Sequence, residues 1–499
     1  MRLTATSILF YIYMVTVQAQ ERPDVLFIAV DDLNDWVGVL GGHPQAITPN
    51  IDALAERGIL FTNAHSPAAL CNPSRTALML GKFPSSTGIY RNGPSWMDIP
   101  HLAELPNLPR YLRENGYTTI GAGKLFHAHT FNTSGYYGYN DLSAWDAFYP
   151  SLGRQLPDEI RPHVRPANGN TVSLFLDWSG VAADDRAMAD GQVVAWSQQQ
   201  LRAEIGAPRF NAVGIYRPHL PWYVPQKYLD VYPLEEIILP EVPADDLDDL
   251  PLVGQQFASQ TSMAPMEFHQ WVLESGMWRE GVRAYLASVT FADAMVGLLL
   301  DTLERTGRAD DTIIVFWSDH GWHLGEKQHW HKSTLWEEAT RVPLLISAPG
   351  FSAGICKQPV NLIDLYPTLN DLCGFSSPDK LDGTSLVPQL RQPLTKRGRP
   401  SITEFRKGNV SVRSERWRYI RYADGAEELY DHASDPNEWT NLEGEPEHAS
   451  VKQNLASWLP KFWADPALSK KAFEFDPKTY TWRNKKTQLK HSAASLAKP

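Results

Sequence analysis

The chain has 499 residues, of which 43% are apolar and 21% charged, and its net charge is −11. This is an ordinary globular composition with ample core, long enough for one large α/β domain with an appendage or for two domains. The acidic balance argues against nucleic acid as the main partner, and any anionic substrate needs a local basic pocket.

The N-terminus reads as a secretory signal. Arg2 supplies a positive charge, residues 8–17 an apolar stretch, and Val17-Gln18-Ala19 a small-residue cleavage site. That stretch is short for a membrane span, and no other segment reads as transmembrane. Export to the periplasm or the extracellular space is expected, with no stable membrane insertion. Three cysteines, Cys71, Cys356 and Cys373, are too few for a disulfide scaffold. A Cys356–Cys373 bond is possible after export and would leave Cys71 over.

The first predicted strand, 25–30, is apolar on both faces, as a buried parallel strand is. It ends in Asp31-Asp32. Two adjacent carboxylates there are costly unless neutralised, and in open α/β sheets this is the end where ligands sit. They point to a metal over a solvated turn. Thr48 can cap, and Pro49 open, a helix that Gly58 stops. Then comes Cys71-Asn72-Pro73-Ser74-Arg75, with Pro73 in the first turn of a second helix running to about Leu80. Cys71 at a helix N-terminus meets N–H groups that favour a nucleophilic oxyanion. Read by itself, it could equally be a small buried residue.

A helix over 109–115 and a strand over 117–122 precede Gly123-Lys124-Leu125-Phe126-His127. Residues 131–170, rich in Gly, Tyr, Trp and Pro without a period, read as long loops over a cleft. A strand over 210–216 leads into Arg217-Pro218-His219-Leu220-Pro221, where two prolines stiffen the loop around His219. Taken alone, such a histidine is more often structural. Residues 234–251, with Asp245-Asp246-Leu247-Asp248-Asp249, read as a solvated acidic loop and not a calcium site.

A long helix over 282–306 carries Val289, Ala292, Val296, Leu299 and Leu303 on one face. The apolar strand after it, 312–317, ends in Ser318-Asp319-His320-Gly321. Asp319 and His320 join Asp31 and Asp32 if the two strands lie side by side. The stretch 322–340 is dense with charge. Some of its histidines are expected at the surface, and Lys332 stands out as a cationic donor. Arg341-Val342-Pro343 opens another strand, and 361–372 reads as a helix. Past a Pro- and Arg-rich stretch at 389–400, alternation predicts antiparallel strands, then a last helix near 451–463. The Lys-rich tail from 470 is expected to be partly disordered.

Several of these segments, in this order, resemble type I sulfatases over most of the mature chain. They are Val30-Asp31-Asp32, Thr48-Pro49-Asn50-Ile51-Asp52, the run from Cys71 to Gly81, Gly123-Lys124, Ser318-Asp319-His320-Gly321 and Arg341-Val342-Pro343. Within that family the chain is most similar to iduronate-2-sulfatases and bacterial polysaccharide sulfatases. The segments behind this are 123–127, 217–221 and 319–326 leading to Lys332. The resemblance implies an alkaline-phosphatase-like α/β fold, with a large, mostly parallel mixed sheet flanked by helices. A smaller C-terminal α+β subdomain follows, an antiparallel sheet plus helix. The division is a signal peptide at 1–19, a catalytic domain at 20–395, a C-terminal subdomain at 396–470 and a basic tail at 471–499.

The resemblance also implies chemistry. A maturation enzyme would oxidise Cys71 to Cα-formylglycine. One divalent cation, Ca²⁺ expected and Mg²⁺ possible, would sit on Asp31, Asp32, Asp319, His320 and the modified Cys71. The aldehyde hydrate would attack the sulfur of a sulfate ester, held by the cation and Arg75. Lys124 and Lys332 would offset the charge on the sulfuryl oxygens, His219 would protonate the leaving alcohol, and His127 would accept the proton whose loss releases sulfate. The family signature usually carries Thr before its final Gly, and here Leu80 precedes Gly81. The expected substrate is a sulfated carbohydrate. Other readings on the same fold are a choline-sulfatase, an arylsulfatase or a phosphonate or phosphodiester hydrolase. A non-enzymatic reading is a sulfated-glycan binder whose Cys71 stays unmodified.

Overall fold

The structure, a computed structural model, describes residues 22–129, 139–170, 173, 175–259, 268–378 and 380–467, and the backbone of 473–476, 481–484 and 490–492. The predicted signal peptide lies outside them, as does most of the tail. Within the tail, Phe473–Asp476, Thr481–Asn484 and Lys490–Ser492 pair as a three-stranded antiparallel sheet.

Eight strands form the main sheet: β1 (Asp24–Val30), β2 (Ile59–Phe61), β3 (Thr118–Gly123), β4 (Ala147–Tyr149), β5 (Arg209–Ile215), β6 (Thr312–Ser318), β7 (Leu344–Ser347) and β8 (Gly354–Cys356). Their spatial order is β8-β2-β7-β6-β1-β5-β3-β4. Only β7 runs against the others. Seven helices are used below: α1 (Pro49–Ala55), α2 (Cys71–Leu80), α3 (Leu108–Glu114), α4 (Ala189–Arg202), α5 (Trp278–Arg305), α6 (Leu365–Leu372) and α7 (Ala449–Ala456).

β1 explains the layering. Its residues alternate between two apolar cores, as the two-residue period of a strand demands. Leu26, Ile28 and Val30 pack with Ile51 of α1, Val193 of α4 and Val289 and Val296 of α5. Val25, Phe27 and Ala29 pack on the other face with Leu78 and Leu80 of α2, Leu112 of α3 and Leu369 of α6. A strand covered on both faces needs no polar positions, which is why its sequence is apolar throughout. Among the described residues α5 alone is long and apolar enough to cross a membrane, and 67% of its most apolar window is buried in this core.

Behind the main sheet, β9 (Ser401–Glu404), β10 (Val410–Arg413), β11 (Trp417–Arg421) and β12 (Glu427–Asp431) form an antiparallel meander. Val410, Val412, Tyr419 and Leu429 pack there against Leu455 of α7. The α/β architecture with a C-terminal antiparallel sheet is thus the one expected from the sequence.

Glu404 of β9 is 1% exposed and accepts bonds from Ser85 N and Oγ, both at 2.6 Å. Burial pushes its carboxyl up to about 8, above the ordinary 4.5. Between those values the folded chain holds a proton that the unfolded chain has released. This contribution is therefore full below about pH 4.5 and is lost as pH rises through about 8, by at most about 1.4 kcal/mol per unit. Glu404→Gln keeps the bonds and cannot ionise, so its denaturant midpoint should fall less over that range. Parallel pH curves for the two proteins would refute the assignment.

Some expectations are corrected. Thr48 does not cap α1 with its side chain; its hydroxyl accepts from Gly38 N at 2.8 Å and donates to Asp52 at 3.1 Å. Asp246 of the acidic loop is not solvated but buried against Lys327 Nζ at 2.6 Å. His323, His329 and His331 are all buried, because the 322–340 segment is held by Asp246, Ala258 and Glu428 and not laid on the surface. Cys356 and Cys373 are free. The long-loop reading of 131–170 missed β4, a three-residue edge strand.

Candidate active site

Four neighbouring strands end at the same place. β6 runs into Asp319-His320, β1 into Asp31-Asp32, β5 into the turn carrying His219, and β3 into Lys124 and His127. The register fixes this: Val30 pairs with Ser318 and with Ile215, and Gly214 with Gly123. The last pair must be glycine. Gly123 has φ +73°, and a Cβ on it would lie 2.0 Å from the Gly214 carbonyl oxygen; one on Gly214 would lie 2.3 Å from the Lys124 backbone. Lys124 is thereby drawn in beside β1.

α2 points its N-terminus at these strand ends. Cys71 is its first residue and Arg75 lies one turn on. Arg75 is fully buried and uses its whole fork. Nε bonds Asp319 Oδ2 at 2.7 Å, Nη2 bonds Asp31 Oδ1 at 2.9 Å, and Nη1 donates to the carbonyls of Lys124 and, at 3.1 Å, Leu125. Lys124 Nζ pairs with Asp31 Oδ2. Lys332 Nζ lies 2.5 Å from Asp32 Oδ1 and 3.1 Å from Cys71 Sγ. Burial works against a lysine cation, but Asp32 and the other two aspartates hold Lys332 above its ordinary range. Burial likewise pushes the Cys71 thiol up, against the pull of Lys332 and Lys124. An unmodified Cys71 is therefore a protonated, inert thiol.

His219 turns Nδ1 to the Leu220 carbonyl at 2.6 Å, leaving Nε2 3.7 Å from Asp32 Oδ2. His127 is buried in the field of Lys124, Lys332 and Arg75 and lies edge-on to Tyr139 at 5.7 Å. Burial first, and then Lys124 and Lys332, hold both histidines well below their ordinary range.

The donor set fits a divalent cation. His320 Nδ1 faces the Gly321 carbonyl at 3.0 Å, so that nitrogen carries the hydrogen. Burial keeps the ring neutral. Its Nε2 lone pair then faces Asp32 Oδ1 at 3.3 Å and Asp319 Oδ2 at 3.6 Å. Lys332 and Arg75 already meet those two oxygens, and a cation among them would also satisfy the ring nitrogen. Asp31, Asp32 and Asp319 each bring an oxygen within 4.8 Å of the others, as do Cys71, Asp319 and His320 with their ligand atoms. Asp32 Oδ2 is buried with no hydrogen-bond partner. Hard carboxylate oxygens suit Ca²⁺ or Mg²⁺, and the imidazole is the less typical member.

All ten residues singled out in the sequence lie in or beside this cluster. Supporting residues were missed. Ser74 Oγ donates to the Asp319 carbonyl at 2.5 Å, Tyr285 OH to the Asp32 carbonyl at 2.8 Å, and Ser318 Oγ to the His320 carbonyl at 3.0 Å. Ser74 and Ser318 flank motif residues and could have been suspected. Tyr285, on a helix read for its apolar face, carries no such signal. His129 packs edge-on to His219 at 5.4 Å.

A mostly parallel sheet with carboxylates, lysines and a helix N-terminus at its strand ends, and an antiparallel sheet behind, defines an alkaline-phosphatase-like hydrolase. Comparison narrows the class. The Sulfatase model matches residues 23–375, and the model for N-sulphoglucosamine sulphohydrolase, C-terminal, matches 325–464. The chain is similar to a sulfatase of Formosa agariphila, 39% identical over 88% of this chain and 87% of that one. It is 32% identical to a choline-sulfatase of Rhizobium meliloti, covering 85% and 83%. With the iduronate 2-sulfatase of Homo sapiens it shares 30% identity, covering 77% and 74%. The crystal structure of the phosphonate monoester hydrolase of Agrobacterium radiobacter matches with a TM-score of 0.70 over 92% of this chain and 99% of that one, at 24% identity, a likeness of fold alone. The chain belongs to the sulfatase family and is a sulfuric ester hydrolase.

Proposed function

We propose that this enzyme is an exported carbohydrate sulfatase that acts through a formylglycine at position 71 and one divalent cation. The observation that carries the reading is the meeting of Cys71 with Lys332, His320 and the carboxylates in one sealed cluster. Asp31, Asp32, Asp319 and His320 would hold the cation, which supplies Lewis-acid stabilisation of negative charge at the reacting oxygens. Oxidation of Cys71 by a maturation enzyme supplies an aldehyde hydrate in place of a thiol that burial keeps protonated.

The other residues then have separable tasks. Arg75 holds the Asp31 and Asp319 carboxylates in place. Lys124 and Lys332 bind and neutralise sulfuryl oxygens in a water-excluded site. His219 Nε2 is the donor to the leaving sugar oxygen, because Nδ1 is committed to Leu220. The anionic ester would favour the protonated ring that burial alone disfavours. His127, held neutral, is in the state a base requires.

Peptide mass spectrometry over Cys71 tests the modification: the aldehyde mass supports it, and an unmodified thiol in active material would sink it. Turnover of regiospecifically sulfated oligosaccharides against choline sulfate, aryl sulfates and phosphonate monoesters tests the substrate class. The choline ester belongs in that panel because a relative 32% identical is a choline-sulfatase. Chelation by EDTA is expected to lower the thermal midpoint as well as activity, with Ca²⁺ restoring both. A cation present at 100 times its Kd adds about 2.7 kcal/mol. A midpoint indifferent to chelator would remove the cation from the proposal.

A further inference from the structure

Lys332 reaches Asp32 and Cys71 from a backbone that does not hold its own shape. Lys327, Gln328, His331 and Ser333 all have left-handed φ, at +54°, +49°, +107° and +84°. Four such non-glycine residues in seven positions persist only where their surroundings impose them. The hairpin that carries Lys332 is minimal: Trp330–His331 pairs with His323–Leu324 and nothing longer.

His329 supplies a restraint. Its ring, 1% exposed, lies between two main-chain carbonyls. Nδ1 is 2.8 Å from Ala258 O and Nε2 is 3.0 Å from Lys332 O. Carbonyls only accept, and burial keeps this ring neutral, so it carries one hydrogen and donates to one of the two at a time. Ala258 lies in the last turn of the helix Leu252–Ser259, where carbonyls lack partners within the helix. Wedged between the two carbonyls and bonded to one of them, the imidazole sets how the Lys332 main chain stands against a packed helix end. Lys327 anchors the same segment, through Asp246 and the Glu438 carbonyl, but does not touch Lys332. On the far side, Ser333 N donates to Ala69 O at 3.2 Å, just before Cys71.

We propose that His329 is a positioning residue for Lys332. It fixes the Lys332 carbonyl, so that the ammonium stands 3.1 Å from the residue-71 side chain before substrate arrives. The inference rests on the role given to Lys332 in the proposed site. The mechanism had assigned His329 no part.

A double-mutant cycle in the full chain tests it: wild type, His329→Leu, Lys332→Ala and the double variant, with kcat and KM measured on the best sulfate ester. Displacing a charge-stabilising group should lower kcat by about tenfold or more, with KM changed by less than about threefold. In the Lys332→Ala background the same change should cost less than about twofold. If His329→Leu does not fold, the cycle is run with His329→Gln, which keeps one donor group. Its expected loss is about threefold to fivefold in kcat, again absent without Lys332. Equal losses in both backgrounds, or no loss in either His329 variant, would overturn the positioning role. Wild-type kcat in Lys332→Ala would overturn the reading of Lys332 and this inference with it, whereas a damaged Lys332→Ala with an additive cycle overturns the inference alone.

Discussion

Cys71→Ala is expected to lower turnover of a sulfate ester by roughly 10⁴-fold or more, with the fold kept. The side chain is fully buried at the start of α2, and its sulfur lies 3.1 Å from Lys332 Nζ and 3.3 Å from His320 Nε2. Truncating one small buried atom costs about 1 kcal/mol, well within the margin of a domain this size. The electrostatic frame survives, because Arg75 and Lys124 bond Asp31 without Cys71. What disappears is the sulfur at the centre of that frame, the group whose oxidation, in the proposed mechanism, would turn Cβ into an aldehyde. Stability and activity should therefore separate. The measurement is steady-state turnover on the best substrate beside a thermal melt. A variant that keeps more than a hundredth of the activity would mean that residue 71 is not the nucleophile.

The sequence made this cluster legible because its parts are strand ends. An apolar run followed by acids, as at 25–32 and 312–320, states both that a strand is buried and that something charged lies past it. The parallel sheet then brings such ends together, and β1 beside β6 meets the one condition the sequence left open. What escaped notice was made by tertiary contacts without local pattern. β4 is three residues at a sheet edge, too short to show a period. Thr48 stands where a cap belongs but is drawn off by Gly38 and Asp52. The histidines of 322–340 looked like surface charge because burial of a polar ring is visible only with its partners. His323 bonds the Glu326 carbonyl and the Thr334 hydroxyl, and His329 lies between two carbonyls 71 and 3 residues away.

Arg75→Met is expected to destabilise the fold by about 3–5 kcal/mol and to lower kcat by at least 10³-fold. Arg75 is fully buried, and its fork bonds the ends of β6, β1 and β3 to α2 at once. Burial by itself would raise the Asp319 carboxyl; Arg75 chiefly, with Lys124 and Lys332, holds it well below its ordinary range instead. Without the guanidinium, Asp319 and Asp31 face each other in a low-dielectric site, and the Lys124 and Leu125 carbonyls lose their donor. Asp31 keeps Lys124, but Asp319 Oδ2 and the two carbonyls are left buried and unpaired, the costly case. Arg75→Lys keeps the charge but is a point donor on a flexible stem and cannot span three strand ends, so it should recover little of either quantity. Denaturant unfolding of the three proteins measures this. A methionine variant within about 1 kcal/mol of wild type would show that the carboxylates are held by the lysines and the bound cation without the arginine. The lysine variant separates charge from geometry: full recovery would assign the effect to charge alone, and failure to recover would assign it to the planar fork that α2 carries into the strand ends.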